Sequence, residues 1–115
     1  MIGTPFWIYL ILVPRSPPLN VSGLLNDSGK ISVTWEPVPE QHRLGVIQGY
    51  IVKAQTTGHS LTLNVSSLSA QLQNLPKGKL YSITVAAYNM AGQGPETPVV
   101  MVRTEDGGKG YQLNA

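Results

Sequence analysis

The chain has 115 residues, of which 42% are apolar and 12% are charged, so it can bury the core of one domain and is not expected to be disordered throughout. A net charge of +2 without a run of Lys and Arg excludes the electrostatic footprint of a nucleic-acid-binding protein. Cysteine is absent, which excludes disulfides, zinc sites with cysteine ligands and thiol nucleophiles.

The two ends of the chain are expected to lie outside the folded domain. Residues 6–13 form an apolar run of eight, which is shorter than the roughly 20 residues of a membrane-spanning helix. Residues 12–16 (LVPRS) resemble a thrombin cleavage site, so residues 1–16 are interpreted as vector-derived or flexible, with native structure as the alternative. Residues 106–115 begin Gly-rich and polar and are expected to be a flexible tail. The domain is therefore expected over residues 17–105.

Short segments between these ends alternate apolar and polar residues, as strands with one buried face do. Turns rich in Gly, Pro, Asn and Asp separate them, and no segment shows sustained helical periodicity. The seven segments are residues 19–24, 30–35, 47–54, 61–65, 70–73, 80–89 and 99–104. Because the connections are too short for parallel crossovers, the pattern predicts an all-β fold of two antiparallel sheets stacked face to face.

Residues along this whole region resemble those of fibronectin type III domains. Trp35 and the prolines after it resemble the family's second strand and its exit, and residues 47–52 (IQGYIV) resemble the third-strand pattern Ile-x-Gly-Tyr-x-Val. Residues 75–81 (LPKGKLY) are similar to the turn before the family's tyrosine corner, and residues 85–94 fit the strand end and the loop beyond. The resemblance covers residues 17–104 and implies a seven-stranded, antiparallel, immunoglobulin-like β-sandwich.

The centre of this sandwich is expected to contain large apolar and aromatic side chains. These are Trp35, Tyr50, Leu75, Tyr81 and Val85. Tyr81 is expected to bury its ring and to donate its hydroxyl to the backbone near Leu75. Such a bond would hold the corner in place without a disulfide.

No group of residues points to catalysis, so the chain is not expected to be an enzyme or to hold a cofactor or metal. His42 and His59 are the only histidines, and both lie in predicted loops without an Asp, Glu or His at ligand spacing. No serine occupies a Gly-x-Ser-x-Gly elbow. Residues 92–94 (GQG) do not open a helix, so they are interpreted as a turn and not as a phosphate loop.

Three tripeptides fit the Asn-x-Ser acceptor pattern for N-glycosylation, at Asn20, Asn26 and Asn64. Chance gives about one match or fewer in a chain of this composition. The three matches therefore indicate passage through the secretory pathway, and the alternative for each is an ordinary turn or strand-surface asparagine. Asn26 is expected to be modified most readily, because it lies in an exposed turn.

One candidate partner surface is an outward-facing apolar patch. The alternation places Ile51, Tyr88, Val99 and Met101 outward on neighbouring strands, where they are expected to be contiguous. The alternative is a strand assignment that is wrong by one residue, which would turn these side chains inward. A glycan on Asn64, on the neighbouring strand, would lie close enough to shield the patch.

A second candidate surface is the end of the sandwich where residues 40–48 and 90–95 are expected to cluster. Related sandwiches bind partners with such loops. Arg43 is a candidate anchor in the first loop, and the alternative is that it is an ordinary solvated arginine.

The resemblance implies a non-catalytic, extracellular protein-interaction and spacer module of a larger cell-surface receptor or adhesion protein. Its partners would be an unidentified protein and the neighbouring domains of the parent chain, with no nucleic acid and no direct insertion of this domain into a membrane. It would lie in the ectodomain of a plasma-membrane protein. The alternative is an intracellular structural module of the same fold in a cytoskeletal or muscle scaffold protein, with accidental acceptor tripeptides.

Overall fold

Alternating apolar and polar residues form the strands, as the second strand shows most clearly. Ile31, Val33 and Trp35 of that strand are buried, and the residues between them face outward. The computed structural model describes residues 13–104, and residues 1–12 and 105–115 lie outside the described region. The described chain forms the strands β1 (Leu19–Leu25), β2 (Ile31–Glu36), β3 (Gly49–Thr56), β4 (His59–Val65), β5 (Ser69–Leu72), β6 (Leu80–Asn89), β7 (Gly92–Glu96) and β8 (Val100–Arg103), with a 3₁₀ turn at Glu40–His42.

The strands form two antiparallel sheets, which confirms the predicted all-β sandwich. One sheet has the order β1-β2-β5. The other has the order β4-β3-β6, with β7 and β8 both pairing with the free side of β6. The expected strands are all present, with ends shifted by a few residues. A single core lies between the sheets.

Strand β7 lies where the sequence predicted only a loop. It pairs with the Ala86–Asn89 end of β6, whereas β8 pairs with the Leu80–Ile83 end. Between them, the backbone N–H of Thr97 donates to the carbonyl of Val85 at 2.9 Å, and the Thr97 hydroxyl accepts the Val85 N–H at 3.0 Å. Because Pro98 cannot donate a ladder bond, β7 and β8 form one edge strand with a break between them.

The residues expected at the centre of the sandwich lie in or against the core. Trp35, Tyr50, Tyr81 and Val85 are buried, and Leu75 is half-buried and packs against them. The rings of Trp35 and Tyr50 meet edge to face with their centroids 5.5 Å apart, a favourable arrangement for aromatic pairs.

The corner before β6 is held differently from the expectation. The ring of Tyr81 is fully buried and packs edge to face against His59, but within residues 13–104 its hydroxyl has no hydrogen-bond partner. The expected bond to the backbone near Leu75 is therefore not formed. The hydroxyl of buried Thr104 donates to the carbonyl of Pro76 at 2.8 Å and accepts the N–H of Lys79 at 3.0 Å. Thr104, which the sequence pattern did not single out, thus bonds to the backbone of the corner in place of Tyr81.

The folded chain begins before the expected domain start at residue 17. Pro14 is fully buried, and a Cβ atom added at Gly94 would lie 2.5 Å from its carbonyl oxygen. The N–H of Arg15 donates to the carbonyl of His42 at 2.7 Å, and the Ser16 hydroxyl lies 3.0 Å from Nδ1 of the same histidine. Residues 13–16 therefore pack against the sandwich, because Gly94 has no side chain to exclude them. The expected tail over residues 106–115 lies outside the described residues.

Candidate functional site

The loops at the β6–β7 end of the sandwich are joined by buried Asn89. Its side-chain Nδ2 donates to the carbonyls of Arg43 and Leu44, at 3.1 and 3.2 Å. Its Oδ1 accepts the N–H groups of Ala91 and Gly92, at 2.9 and 3.3 Å. The loop between β2 and β3 and the turn between β6 and β7 therefore lie together, and one side chain sets their relative position.

A groove of about 390 Å³ lies between these two loops. Its walls are Leu44, Gly45, Val46, Gln48, Asn89, Met90 and Ala91. Val46 is 82% exposed and Met90 is 88% exposed, so two large apolar side chains at this end face solvent. Exposed apolar side chains around a groove are typical of protein-interaction surfaces. We call these two loops and the groove between them the loop end.

Arg43 is hydrogen-bonded within the loop end and is not an ordinary solvated arginine. Its Nε donates to the carbonyl of Val38 at 2.8 Å, and its own carbonyl accepts a hydrogen bond from Asn89. Burial raises the pKa of the Tyr50 phenol, and the nearby positive charge of Arg43 partly opposes that rise. The structure therefore gives Arg43 a structural role at the base of the loop.

The structure divides the expected outer-face patch into two groups. Ile51 pairs with Ala86 near one end of β6, whereas Met101 pairs with Ser82 near the other end. Four residues along a strand correspond to about 13 Å. A salt bridge of 2.9 Å between Lys53 and Glu96 spans β6 in the intervening region.

The first group is centred on Tyr88, whose ring lies across Gly49 of the adjacent strand. A Cβ atom added at Gly49 would lie 2.6 Å from the Tyr88 hydroxyl oxygen. This hydroxyl reaches one strand further and donates to Oδ1 of Asn64 at 2.8 Å. Ile51 is half-buried beside them and pairs with Asn64.

The second group lies at the β8 end. Val99 is 56% exposed and Met101 is 52% exposed. Val99 precedes β8 and lies outside any strand, so only Met101 is positioned by strand pairing. This group is therefore smaller than the contiguous patch that the alternation predicted.

The three acceptor asparagines have different surroundings. Asn20 is exposed in β1, with a positive φ of 52° next to an irregularity in the register of that strand. Oδ1 of Asn26 accepts hydrogen bonds from the N–H and hydroxyl of Ser28 and from the N–H of Lys30, at 2.8–3.0 Å. Asn64 is exposed on β4, with its Oδ1 held by Tyr88.

Neither histidine lies in a cluster suited to metal binding among the described residues. His42 belongs to the 3₁₀ turn and contacts Ser16, whereas His59 begins β4 and contacts the ring of Tyr81. Within residues 13–104, no group of three His, Asp or Glu side chains could hold a metal ion. In the same part of the chain, no helix is long and apolar enough to span a bilayer.

Comparisons with known proteins agree with this architecture. Mouse protein sidekick-2 is 38% identical over 101 residues, which is 82% of this chain and 5% of sidekick-2. Human netrin receptor DCC is 37% identical over 86 residues, which is 72% of this chain and 6% of that receptor. The chain thus spans only a small part of the length of these relatives.

Solved structures show the same fold. The crystal structure of the chicken CNTN1 FN1–FN3 domains matches with a TM-score of 0.72 and 29% identity, over 82% of this chain and 33% of that one. The sequence model of the fibronectin type III domain family matches residues 16–103 of this chain. This match includes Ser16, whose hydroxyl contacts His42, and it ends one residue before Thr104. The chain therefore belongs to the fibronectin type III family.

Proposed function

We propose that the chain is an extracellular, non-catalytic interaction and spacer module of a larger cell-surface adhesion receptor. One observation carries this proposal: Asn89 holds two loops together so that Val46 and Met90 face solvent beside a groove. A surface of fixed shape loses little conformational entropy on binding, which favours recognition of a protein partner. The adhesion receptors to which the chain is similar support this role.

The path of the chain supports the spacer role. Val13 packs beside Gly92 at one end of β6, and Thr104 is bonded to Lys79 at the other end. The ten residues of β6 span about 30 Å at the usual rise of a strand. The chain therefore enters and leaves at opposite ends, so that the sandwich would separate neighbouring domains of the parent protein by its own length.

The acceptor asparagines support an extracellular location. Asn20 and Asn64 are exposed on strands, and Asn26 lies in the turn between β1 and β2. We propose all three as glycosylation sites. The alternative, an intracellular structural module of the same fold, predicts that none of them is modified.

Expression in mammalian cells behind a secretion signal separates these two functions. The secreted chain is expected to lose mass on glycosidase treatment, as measured by intact-mass spectrometry. Variants Asn20→Gln, Asn26→Gln and Asn64→Gln assign the glycans to individual positions. A product that carries no glycan at any of the three positions would favour the intracellular module.

The loop end is tested by chemical-shift mapping. The isotope-labelled chain is titrated with the purified ectodomains of sidekick-2 and of netrin receptor DCC as first probes. Shifts are expected to concentrate around Val46 and Met90, and Met90→Asp is expected to remove them. Leu24→Asp is the matched control, because Leu24 is 69% exposed on the other sheet. Shifts confined to the β1-β2-β5 sheet would contradict the assignment of this surface.

A further inference from the structure

Strand β4 is an unusually regular sheet edge. It pairs with β3 along seven consecutive positions without a shift in register, and no other strand is hydrogen-bonded to its second side in the described sheets. Its sequence, HSLTLNV, contains no proline, lysine, arginine or acidic residue. A long, regular edge with unpaired backbone groups is a template for pairing with another chain.

The other edges of the two sheets are interrupted or short. The register of β1 shifts between Leu19 and Ser22, and Asn20 there has a positive φ. Strand β5 has only four residues. The β7–β8 edge is broken around Pro98. The described β4 edge has no register shift, is not short and contains no proline or charged residue of the kinds named above. Among the described edges, it is therefore the least protected against pairing with another chain.

The amide of Asn64 has a defined orientation at this edge. Tyr88 reaches this amide from β6 across Gly49 of β3. Its hydroxyl therefore approaches Oδ1 from the side of β4 that is paired with β3. Oδ1 and Nδ2 are the two arms of one planar amide and point in different directions. Because Oδ1 is held on the side of β3, Nδ2 is directed away from β3, and N-glycosylation joins the glycan to this nitrogen.

We propose that an N-linked glycan on Asn64 covers the free edge of β4 and prevents it from pairing with a second copy of the chain. This inference rests on the secretory route proposed above. In the transfer, Nδ2 of Asn64 forms a bond to C1 of the first N-acetylglucosamine and loses one proton. The C1–O bond to a lipid-linked pyrophosphate donor breaks, and the lipid pyrophosphate leaves. Oδ1 remains an acceptor, so the Tyr88 hydrogen bond is kept.

The glycan-free chain has a defined alternative state. Two copies can place their β4 strands side by side and antiparallel, which continues the sheet across a two-fold axis. Such a dimer is closed, because each copy uses the one regular edge that the described strands leave free. The expected product is therefore a dimer and not an open polymer.

The test uses the secreted 115-residue chain and removes the glycan without removing the asparagine. Ser66→Ala abolishes the acceptor tripeptide and retains both Asn64 and its bond to Tyr88. Asn26→Gln is the control, because it removes a different acceptor, at the β1–β2 turn. Intact mass reports occupancy at each position, and light scattering coupled to size exclusion reports the molar mass.

The wild-type chain is expected to carry glycan on Asn64 and to be monomeric. The Asn26→Gln variant is expected to behave in the same way. Ser66→Ala is expected to show an about twofold higher molar mass at high concentration, since edge pairing joins two copies. Hydrogen exchange is expected to slow at the β4 amides of that dimer. Adding Thr62→Lys, which places a lysine on the outer face of β4, is expected to restore the monomer.

Each other outcome overturns the proposal in a distinguishable way. Glycan on Asn20 or Asn26 but not on Asn64 would leave the extracellular function intact and reject the edge role. A monomeric Ser66→Ala chain at all concentrations would also reject it. If Ser66→Ala is not secreted, trimming the folded wild-type glycan to one sugar replaces it, and an unchanged monomer then rejects the proposal. Absence of glycan at all three positions would reject the extracellular function itself.

Discussion

Thr104 and Lys79 donate hydrogen bonds to each other across the corner before β6. The N–H of Lys79 donates to the Thr104 hydroxyl at 3.0 Å, and the N–H of Thr104 donates to the Lys79 carbonyl at 2.8 Å. The last described residue therefore closes the loop that leads into the longest strand of the fold.

Thr104→Val is expected to destabilise the domain. The substitution keeps the shape of the side chain but leaves the N–H of Lys79 and the carbonyl of Pro76 without this partner, which costs about 1–3 kcal/mol in free energy of unfolding. Urea unfolding measures the change. Thr62→Val on exposed β4 is the control and is expected to stay within about 0.5 kcal/mol of wild type. Equal losses in both variants would contradict the role of Thr104.

Tyr81→Phe is expected to leave the free energy of unfolding unchanged or to raise it. The ring stays buried, and the hydroxyl that is removed has no hydrogen-bond partner among the described residues. Removing a buried, unsatisfied polar group is neutral or favourable. A loss of more than about 1 kcal/mol in urea unfolding would instead support the bond to the corner backbone that the sequence predicted.

Asn89→Ala is expected to loosen the loop end. Four hydrogen bonds that Asn89 makes to two loops are lost, with an expected cost of about 2–6 kcal/mol, since each contributes roughly 0.5–1.5 kcal/mol. Hydrogen exchange at the N–H of Ala91 and of Gly92 should become faster. Gln48→Ala, an exposed neighbour on the same groove, serves as the control, and exchange rates that rise equally in both would argue against Asn89 as the link.

Gly94→Ala is expected to displace residues 13–16. The new methyl group would lie 2.5 Å from the carbonyl oxygen of Pro14, and backbone atoms cannot move aside as a flexible side chain can. Overpacking of this kind costs about 1–3 kcal/mol. Faster hydrogen exchange at the N–H of Arg15 would locate the effect. Gln93→Ala is the adjacent exposed control, and a Gly94→Ala chain as stable as this control would show that residues 13–16 do not pack tightly.

Stability is expected to fall at alkaline pH. Burial raises the pKa of both Tyr50 and Tyr81 above the ordinary value of 10.0. Above about pH 10, the unfolded chain releases phenolic protons that the folded chain still holds, so the free energy of unfolding decreases as pH rises. Below that pH, both phenols are protonated in the folded and the unfolded chain, and their contribution to the free energy of unfolding is fully present.

Urea unfolding from about pH 8 to about pH 11 measures this dependence. Tyr81→Phe removes one of the two groups and is expected to reduce the slope at the alkaline end. Identical slopes for the variant and the wild type would show that Tyr81 does not contribute to it.

Local patterns in the sequence were sufficient to predict the architecture. Burial of one sheet face imposes a period of two, which β2 and β6 display directly, and turn residues mark where each strand ends. The burial of Trp35 and Tyr81 follows from the same alternation. Strand β7 was missed because its sequence, GQGPE, has no apolar alternation and is a strand only through its pairing with β6.

The candidate sites depended on relations that no local pattern contains. The Thr104 hydroxyl finds its acceptor 28 residues away in the chain, and Asn89 bonds to carbonyls 45 and 46 residues away. The register between strands places Tyr88 over Gly49 and within reach of Asn64, and it separates Ile51 from Met101. The sequence by itself determined which residues face the core, because burial is set by the period of each strand. The tertiary structure decided which surface residues meet, because hydrogen bonds between distant segments depend on register and loop geometry.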